Sequence, residues 1–506
     1  MSSRGTSECA PAGSSIRRGD PVVMKGRCRV RLFADSRVLA MILALAALAF
    51  AGSSCERPGL AEGEPRHVIL ISIDTARADA FGFMGSESAS TPRLDGLASE
   101  SVVFTDYMTV VPTTLASHTT LLTGKYPHHH GTPRNGFMVN AENVMLTELL
   151  REAGFHTAGF AGSFALDRRF DFAQGFEHYD QEFDILVGDM GANQNQRLAE
   201  DVTDAVLGHL DSDRTRNRLF LFVHYFDPHA PYSAPAPFDT THDPRGREGL
   251  LPLFELYRMR DLEPERAALE ARRHEMQYAS EVSYTDAHLG RLLDGLDERG
   301  ILDEALVVVT SDHGESLWEH DEEFDHGTTV YQSTMHAVCM FKLPDGGSDA
   351  RLCDWPVSNI DVMPTILSLL GIPEPEGIDG VAMPLRSGGE GLGERPRFGQ
   401  ATKPWRGVET DLTWHNMQKS RCLRLGSYKF VQTPYAGTEE LYDVASDPGE
   451  TRDLLAGGSD EARRLAGAMR RALTEWAASA DPLPTRFENS QRQETIERLR
   501  SLGYLR

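Results

Sequence analysis

Cysteine is scarce in this sequence, with six residues among 506. So few cysteines exclude a small scaffold built on disulfide bonds. Long hydrophobic runs are also rare, and the longest occupies only residues 38–50, which excludes a polytopic membrane protein. Basic residues are outnumbered, because 51 lysines and arginines stand against 75 aspartates and glutamates. This acidic balance argues against a nucleic-acid partner.

The remaining composition is that of an ordinary soluble globular protein. Hydrophobic residues make up 40% of the chain and charged residues 25%. These fractions exclude a disordered chain and a fibre. At roughly 100–200 residues per domain, the length allows one large domain and one or two smaller ones.

Residues 1–54 have the composition of a secretory leader. An arginine-rich flank precedes the apolar run at 38–50, and small residues follow it at 51–54, an order typical of a signal peptide. The run is shorter than the roughly 20 residues of a spanning helix, and a single retained anchor is the alternative. Cys55 follows the small residues as in a bacterial lipoprotein site. We therefore expect export to the periplasm or cell envelope, with membrane contact only through a lipid on Cys55 or an N-terminal anchor.

The segments after the leader alternate between strand and helix patterns. Short apolar segments have the character of strands buried on both faces, at 67–73, 219–223 and 306–310. Amphipathic patterns typical of helices lie between and after them, at 144–153, 196–210, 278–296 and 362–370. This alternation predicts an α/β domain with a doubly wound, mostly parallel sheet flanked by helices. We place that domain at residues 66–380.

The pattern changes near Pro384. A glycine-rich stretch predicts a loop, and shorter strand patterns follow at 422–432 and 440–444. Helical patterns close the chain at 462–478 and 494–502. These features predict a smaller α+β subdomain at residues 381–506.

Polar side chains follow each of the three predicted strands. They are Asp74 after the first, His224, Asp227 and His229 after the second, and Asp312, His313 and Glu315 after the third. In open α/β sheets, reactive groups collect beyond the carboxyl ends of the strands. Carboxylate and imidazole ligands suit a divalent ion such as Ca, Mn, Mg or Zn. The sequence therefore predicts a divalent-metal site at this edge of the sheet.

A fourth polar segment lies at 111–131, where Thr113, Thr114 and Ser117 cluster at the start of a predicted helix. The start of a helix presents free N–H groups to an anion. A threonine hydroxyl there is able to bind the metal, ionise and attack a sulfur or phosphorus centre. The alternative is simple N-capping by Thr113 or Thr114.

Four ordered segments carry a family resemblance. They are HVILISIDTARAD at 67–79, TLASHTTLLTGKYP at 114–127, DVMPTI at 361–366, and LYD with DPGE within 441–450. Each is similar to a motif of the sulfatase family of the alkaline phosphatase superfamily, across nearly all of residues 66–504. The resemblance implies an alkaline-phosphatase-like fold and a metal-dependent ester hydrolase whose catalytic domain is 66–380. It says less about the substrate.

The resemblance also implies roles for individual residues. The metal ligands would be Asp74, Thr114, Asp312 and His313. The catalytic residues would be Thr114 as nucleophile, with His229, His326 and Lys125. Asn135 would bind the substrate, as would His118, which stands where the family has an arginine. Arg134 adds the local positive charge that an anionic substrate needs near an acidic protein.

The nucleophile position departs from the family pattern. Sulfatases convert a cysteine or serine there to formylglycine, whereas Thr114 would yield a ketone and not an aldehyde. A threonine sulfate also lacks the exit that a formylglycine hydrate provides, but water is able to open a threonine phosphate by attack at phosphorus. The family therefore indicates a sulfuric ester, while the threonine favours a phosphate ester or a phosphodiester.

We predict a sulfatase-family hydrolase that forms a covalent intermediate on Thr114. Its substrate would be a small anionic ester with a head-group or glycan leaving group. One metal ion is expected, and a second is the alternative if His326 joins His224, Asp227 and His229 as ligands. A phosphoglycerol-type head-group transferase and a catalytically silent binding homologue are the other functional alternatives.

Overall fold

A computed structural model describes residues 64–182, 197–212, 217–320, 322–344, 350–385, 392–402 and 419–486. The predicted leader, the candidate lipid site at Cys55 and the predicted helix at 494–502 lie outside the described residues. Within the described ranges, no helix combines the length and the apolar character needed to cross a bilayer.

The described elements alternate as the sequence predicts. The strands are β1 His67–Ile73, β2 Val102–Phe104, β3 Tyr107–Met108, β4 His156–Phe160, β5 His178–Asp180, β6 Leu219–Tyr225, β7 Ala305–Ser311, β8 Ser316–Glu319, β9 Glu322–Asp325, β10 Cys339–Lys342, β11 Arg351–Cys353, β12 Val357–Ser358, β13 Arg397–Gln400, β14 Arg421–Leu425, β15 Tyr428–Thr433 and β16 Thr438–Asp443. The α-helices are α1 Pro92–Ala98, α2 Thr114–Thr123, α3 Pro127–His130, α4 Leu146–Glu152, α5 Ala199–Ser212, α6 Leu253–Met259, α7 Pro264–Asp297, α8 Gln332–Met335, α9 Val362–Leu369 and α10 Asp460–Ala478. Single 3₁₀ turns lie at Ala78–Ala80, Gly82–Met84, Phe164–Leu166, Arg168–Phe170, Phe238–Thr240, Leu302–Glu304 and Asn359–Asp361.

The main sheet confirms the predicted doubly wound α/β fold. Its eight strands run in the order β11-β2-β10-β7-β1-β6-β4-β5. The five strands from β7 to β5 are parallel, while β10 is antiparallel to both of its neighbours. Chain order reverses around β1, which lies between β7 and β6, and a reversal of this kind is where α/β sheets place their sites.

Strand β1 shows why its sequence is largely apolar. All seven of its residues are buried. Val68 and Leu70 join the core on one face of the sheet, together with residues of α2 and α9. Ile69 and Ile71 join the core on the other face, together with residues of α7. Because helices cover both faces, both alternating sets of side chains are mostly apolar.

The C-terminal part forms a smaller α+β unit. Strands β13 to β16 make an antiparallel sheet in chain order. Helix α10 begins at Asp460 after Ser459, whose side chain accepts the N–H of Ala462, and it packs on this sheet through Ala466, Met469 and Leu473. The division at residues 380 and 381 stays a prediction.

Candidate active site

Asp74, Asp312 and His313 meet at the carboxyl ends of two neighbouring strands. Strands β1 and β7 are paired in parallel up to Ile73 and Ser311, so the residues that follow them are adjacent. His313 Nε2 lies 3.3 Å from Asp312 Oδ2 and 3.9 Å from Asp74 Oδ1. All three side chains are fully buried. One potential ligand atom from each lies within 4.8 Å of the others, a spacing that one metal ion is able to span.

Main-chain groups fix the direction of the Asp312 carboxylate. Its Oδ1 accepts the N–H of Thr75 at 3.1 Å and the N–H of His313 at 2.8 Å. Thr75 has a φ of +53°, which is unusual for a β-branched residue and costs conformational energy. This strained turn after β1 aims the Thr75 N–H at Asp312 and leaves Oδ2 to face Asp74 and His313.

The cluster contains polar atoms that no described residue satisfies. Both oxygens of Asp74, Oδ2 of Asp312 and Nε2 of His313 are buried without a hydrogen-bond partner in the described ranges. Burial first, and then the charge of Glu315, raises the pKa of Asp74 well above its usual range. Burial and the nearby Asp74 raise the pKa of Asp312 in the same way. A cation bound between these oxygens would remove this penalty, so the donor set fits a divalent metal.

His313 is held in the tautomer that a metal ligand requires. A carbonyl oxygen can only accept, so the Nδ1 atom 2.9 Å from the Gly314 carbonyl carries the ring proton. Burial lowers the pKa of His313 well below its usual value, and the ring is neutral. Its Nε2 therefore presents a lone pair to the two carboxylates.

Helix α2 begins at Thr114, and its first turn contacts Asp312. Thr114 is the first residue of α2 and is fully buried. In the first turn of this helix, the Ser117 hydroxyl donates to the Asp312 carbonyl at 2.7 Å. The preceding Thr113 makes no side-chain cap, and its hydroxyl instead lies 2.9 Å from that of Thr402. Thr113 is therefore not a simple N-cap of α2.

Asn135 takes part of the capping role at this helix end. Its Oδ1 accepts the N–H of Leu115 at 2.7 Å. Its Nδ2 is buried and has no hydrogen-bond partner among the described residues. This places an amide donor beside the start of α2, and the substrate-binding role of Asn135 stays a prediction. Arg134 is also buried, with its guanidinium 5.4 Å from the centre of the Phe137 ring.

His118 lies inside the helix packing. Its Nδ1–H donates to the Thr114 carbonyl at 2.7 Å, and its Nε2 lies 2.8 Å from the Ser72 hydroxyl. Burial lowers its pKa well below the usual value, so a neutral ring occupies the place of the family's arginine. Both nitrogens serve the protein's own groups, and His118 links Thr114 to β1.

The structure does not bring Lys125 to the cluster. Gly124 ends α2 with a φ of +64°, and Lys125 follows it. A helix rises 1.5 Å per residue, so α2 separates Lys125 from Thr114 by about 15 Å along the helix axis. The charge of Lys125 instead lies near His129 and His130. The length of α2 therefore separates Lys125 from Thr114.

His229 and His326 lie beside the metal-ligand cluster. The ring centre of His326 is 4.5 Å from that of His313 and 5.2 Å from that of His229. His326 Nδ1 lies 2.9 Å from Glu315 Oε1, and His229 Nδ1 donates to the Ala230 carbonyl at 2.7 Å. Both side chains are buried. They are therefore placed next to the bound ester that we expect.

The second-metal alternative is weakened by Asp227. Its Oδ2 accepts the N–H of Ala199 at 2.7 Å, and its carboxyl group interacts with Glu281 on α7. Among the described residues, two groups could hold a metal ion, and they share Asp312: one adds Asp74 and His313, and the other adds His118 and His224. Neither group includes His229 or His326.

Sequence reasoning gave no role to Ser72 and did not identify Gly162 at all. Ser72 faces His118, and the Gly162 N–H lies 3.3 Å from His224 Nδ1. The polar Ser72 inside an apolar strand was the one available signal. Gly162 gave none, because its contact joins residues 62 positions apart.

Comparison with known proteins decides the family. The sulfatase family profile matches residues 66–372, more than half of the chain. The chain belongs to the sulfatase family. It is a sulfatase-like hydrolase of anionic esters.

The relatives of this sulfatase-family chain include named sulfatases, and its fold neighbours include a phosphonate monoester hydrolase. It is 26% identical to an ulvan-active sulfatase of Formosa agariphila over 77% of each chain. It is 24% identical to an N-acetylglucosamine-6-O-sulfatase of Bacteroides thetaiotaomicron, over 82% of this chain and 87% of that one. The fold is similar to that of a phosphonate monoester hydrolase from Silicibacter pomeroyi, with a TM-score of 0.65, 23% identity, and coverage of 82% of this chain and 96% of that one.

Proposed function

We propose that this chain hydrolyses a phosphate ester or a phosphodiester through a covalent intermediate on Thr114. The observation that carries the proposal is the position of Thr114 at the start of α2, whose first turn contacts Asp312 through Ser117. The residue is a threonine, so a formylglycine aldehyde is not available. A phosphothreonine has a direct route to hydrolysis, and a phosphonate monoester hydrolase shares the fold.

The donor set supports one divalent cation. Asp74, Asp312, His313 and Thr114 would hold Ca, Mn, Mg or Zn, whose charge lowers the pKa of a hydroxyl and stabilises a negatively charged ester. The buried oxygens that lack hydrogen-bond donors support this ligand set.

The chain's own groups would then carry the reaction. Thr114 Oγ1 gives its proton to solvent and attacks phosphorus in line as an alkoxide, and the bond from phosphorus to the leaving oxygen breaks. Asn135 Nδ2 and the N–H groups at the start of α2 hold the anionic oxygens. His229 or His326 delivers a proton to the leaving oxygen. Water then gives a proton to the same histidine and attacks phosphorus, and the bond from phosphorus to Thr114 Oγ1 breaks to free the threonine.

The substrate we propose is a small anionic ester with a head-group or glycan leaving group. The active-site side chains are almost fully buried, which suits an anion that reaches the cluster end-on. Arg134 supplies positive charge near Asn135. Lys125 is left out of the reaction because α2 carries it away.

A panel of 4-nitrophenyl sulfate, phosphate, phosphodiester and phosphonate esters tests this proposal, with each of the four metals in turn. We expect a phosphorus ester to give the highest kcat/KM. Thr114→Ala should lower kcat by a factor of about 10³ or more, because the nucleophile is lost, whereas Thr114→Ser should retain measurable turnover. Sulfate turnover exceeding that of every phosphorus ester, or an active Thr114→Ala variant, would refute the proposal.

A further inference from the structure

His224 is a buried histidine that the proposed reaction does not use. It lies near the end of β6, paired with Ser72 on β1, and its side chain is fully buried. Its Nε2 is 3.5 Å from Asp74 Oδ2. Neither of these two atoms has a hydrogen-bond partner among the described residues.

The ring of His224 has a defined tautomer. The main-chain N–H of Gly162 points at Nδ1 from 3.3 Å, and a main-chain amide can only donate. Nδ1 must therefore be the acceptor, and the single proton of the neutral ring must be on Nε2. A doubly protonated ring would place one N–H against another.

This tautomer decides what His224 does at the cluster. A nitrogen that carries a proton cannot bind a cation, so His224 is not a ligand while Gly162 holds it. The alternative grouping of His224 with His118 and Asp312 fails similarly, because both nitrogens of His118 already bind Ser72 and Thr114.

We infer that His224 is a positioning residue whose Nε2–H faces Asp74 Oδ2 across 3.5 Å and holds that oxygen by electrostatic attraction. This leaves Asp74 Oδ1, the oxygen nearer to His313, to face the proposed metal. The inference rests on the proposed metal site, since an oriented Asp74 matters only if Asp74 is a ligand. Groups that orient a ligand in this way commonly change metal affinity 10- to 100-fold.

The packing around His224 holds the ring in place. A Cβ atom on Gly162 would lie 2.6 Å from the His224 carbonyl and 2.9 Å from the Phe226 amide nitrogen. Only a glycine therefore lets this N–H approach β6. On the other side, the His224 ring meets His118 edge-on, with ring centres 4.9 Å apart.

The test measures binding of Mn²⁺ to chelator-stripped protein, from the electron paramagnetic resonance signal of free Mn²⁺. His224→Gln keeps an N–H donor close to the position of Nε2, and we expect Mn²⁺ affinity within about threefold of wild type. His224→Leu removes the donor, and we expect affinity to fall by a factor of about 10 to 100. Should His224→Leu not fold, His224→Met provides another side chain without an N–H.

Matched controls use His67, a buried histidine at the end of β1 that is farthest from Asp74. His67→Gln and His67→Leu should leave Mn²⁺ affinity unchanged, and the Tm of each metal-free variant shows that it folds. If His224→Gln and His224→Leu lost Mn²⁺ affinity equally, or if His224→Leu kept wild-type affinity, the inference would be overturned. The proposed function would still stand. A wild-type protein that binds neither Mn²⁺ nor any of Ca²⁺, Mg²⁺ and Zn²⁺ would overturn both.

Discussion

At the scale of single residues, Asn135 connects the start of α2 to the expected position of the substrate. One end of its amide accepts the Leu115 N–H, and the other end presents a buried N–H₂ group. The two ends of this side chain therefore have separate roles. An aspartate at this position would still accept the Leu115 N–H, but it would place an acceptor where asparagine places a donor.

Asn135→Asp should lower kcat/KM for bis(4-nitrophenyl) phosphate by about 100-fold, because a carboxylate oxygen replaces a donor to an anionic oxygen. The Leu115 contact persists, so Tm should change little. Asn143→Asp is the control, since Asn143 is buried nearby and donates to the His130 carbonyl. That variant should lose stability, with near-normal activity per folded molecule. A kcat/KM for Asn135→Asp within threefold of wild type would show that Asn135 does not bind the substrate.

Some of these residues could be predicted from sequence because their position follows from a strand. Asp74, Asp312 and His313 end two buried apolar strands, and parallel strands deliver such residues to one edge. The geometry of Lys125 and the role of His224 could not be predicted this way. The position of Lys125 depends on the length of α2. The tautomer of His224 depends on the main-chain N–H of Gly162, which lies in the connection after β4.

At the scale of elements, a short C-terminal segment supports the loop that carries Asn135. Residues 481–486, here named the C-terminal strap, follow α10. Asp481 and Leu483 donate their N–H groups to the His128 and His129 carbonyls, both at 3.2 Å. The N–H of Met138 donates to the Arg486 carbonyl at 2.9 Å. The strap thus holds both sides of the loop that contains Arg134 and Asn135.

Gly131 is the point of closest approach between the loop and the strap. It has a φ of +85°, and a Cβ atom there would collide with the Leu483 carbonyl. Gly131→Ala should therefore lower Tm and reduce kcat/KM about tenfold or more, because the displaced loop carries Asn135 and a small misplacement is costly.

Gly249→Ala is the matched control for Gly131→Ala. Gly249 has a similar positive φ of +65°, but a Cβ atom there would meet nothing within 4 Å. It should show the backbone cost of about 1 kcal/mol without the loss of activity. Equal effects of the two substitutions on kcat/KM would mean that the strap does not position the loop.

The position of the strap could not be predicted from the sequence. Local patterns predicted a helix at 462–478, and α10 occupies Asp460–Ala478, because its apolar stripe is a local signal. The strap has no periodic pattern, and its partners lie more than 300 residues earlier in the chain. Its position is set by packing and not by propensity.

At the scale of the whole molecule, buried acids govern how stability should respond to pH. Asp227 follows β6 and Glu281 lies on α7, and both are almost fully buried. Burial raises the pKa of Asp227 to about 6. Burial and the adjacent Asp227 raise the pKa of Glu281 well above its usual value. The pair links β6 of the main sheet to α7, the longest of the described helices.

The folded protein binds more protons at this pair than the unfolded chain does. An acid with a raised folded pKa contributes its full stabilisation below the unfolded pKa of about 4. That contribution declines as pH rises through about 6, the value for Asp227, and further as Glu281 ionises. The wild-type free energy of unfolding should therefore fall across this range, by about 3 kcal/mol from the Asp227 shift alone.

Glu281→Gln isolates this effect from that of the other buried acids. The glutamine oxygen still accepts the Ser233 N–H, and its amide N–H is able to donate to an ionised Asp227. The Tm of the variant relative to wild type should therefore rise steadily between pH 4 and pH 8, as measured by thermal denaturation in one buffer series. Glu265→Gln changes an exposed glutamate on the same helix, and its Tm difference should stay flat. A Glu281→Gln difference that is also flat would mean that Asp227 and Glu281 ionise freely, and the link between β6 and α7 would then not depend on a shared proton.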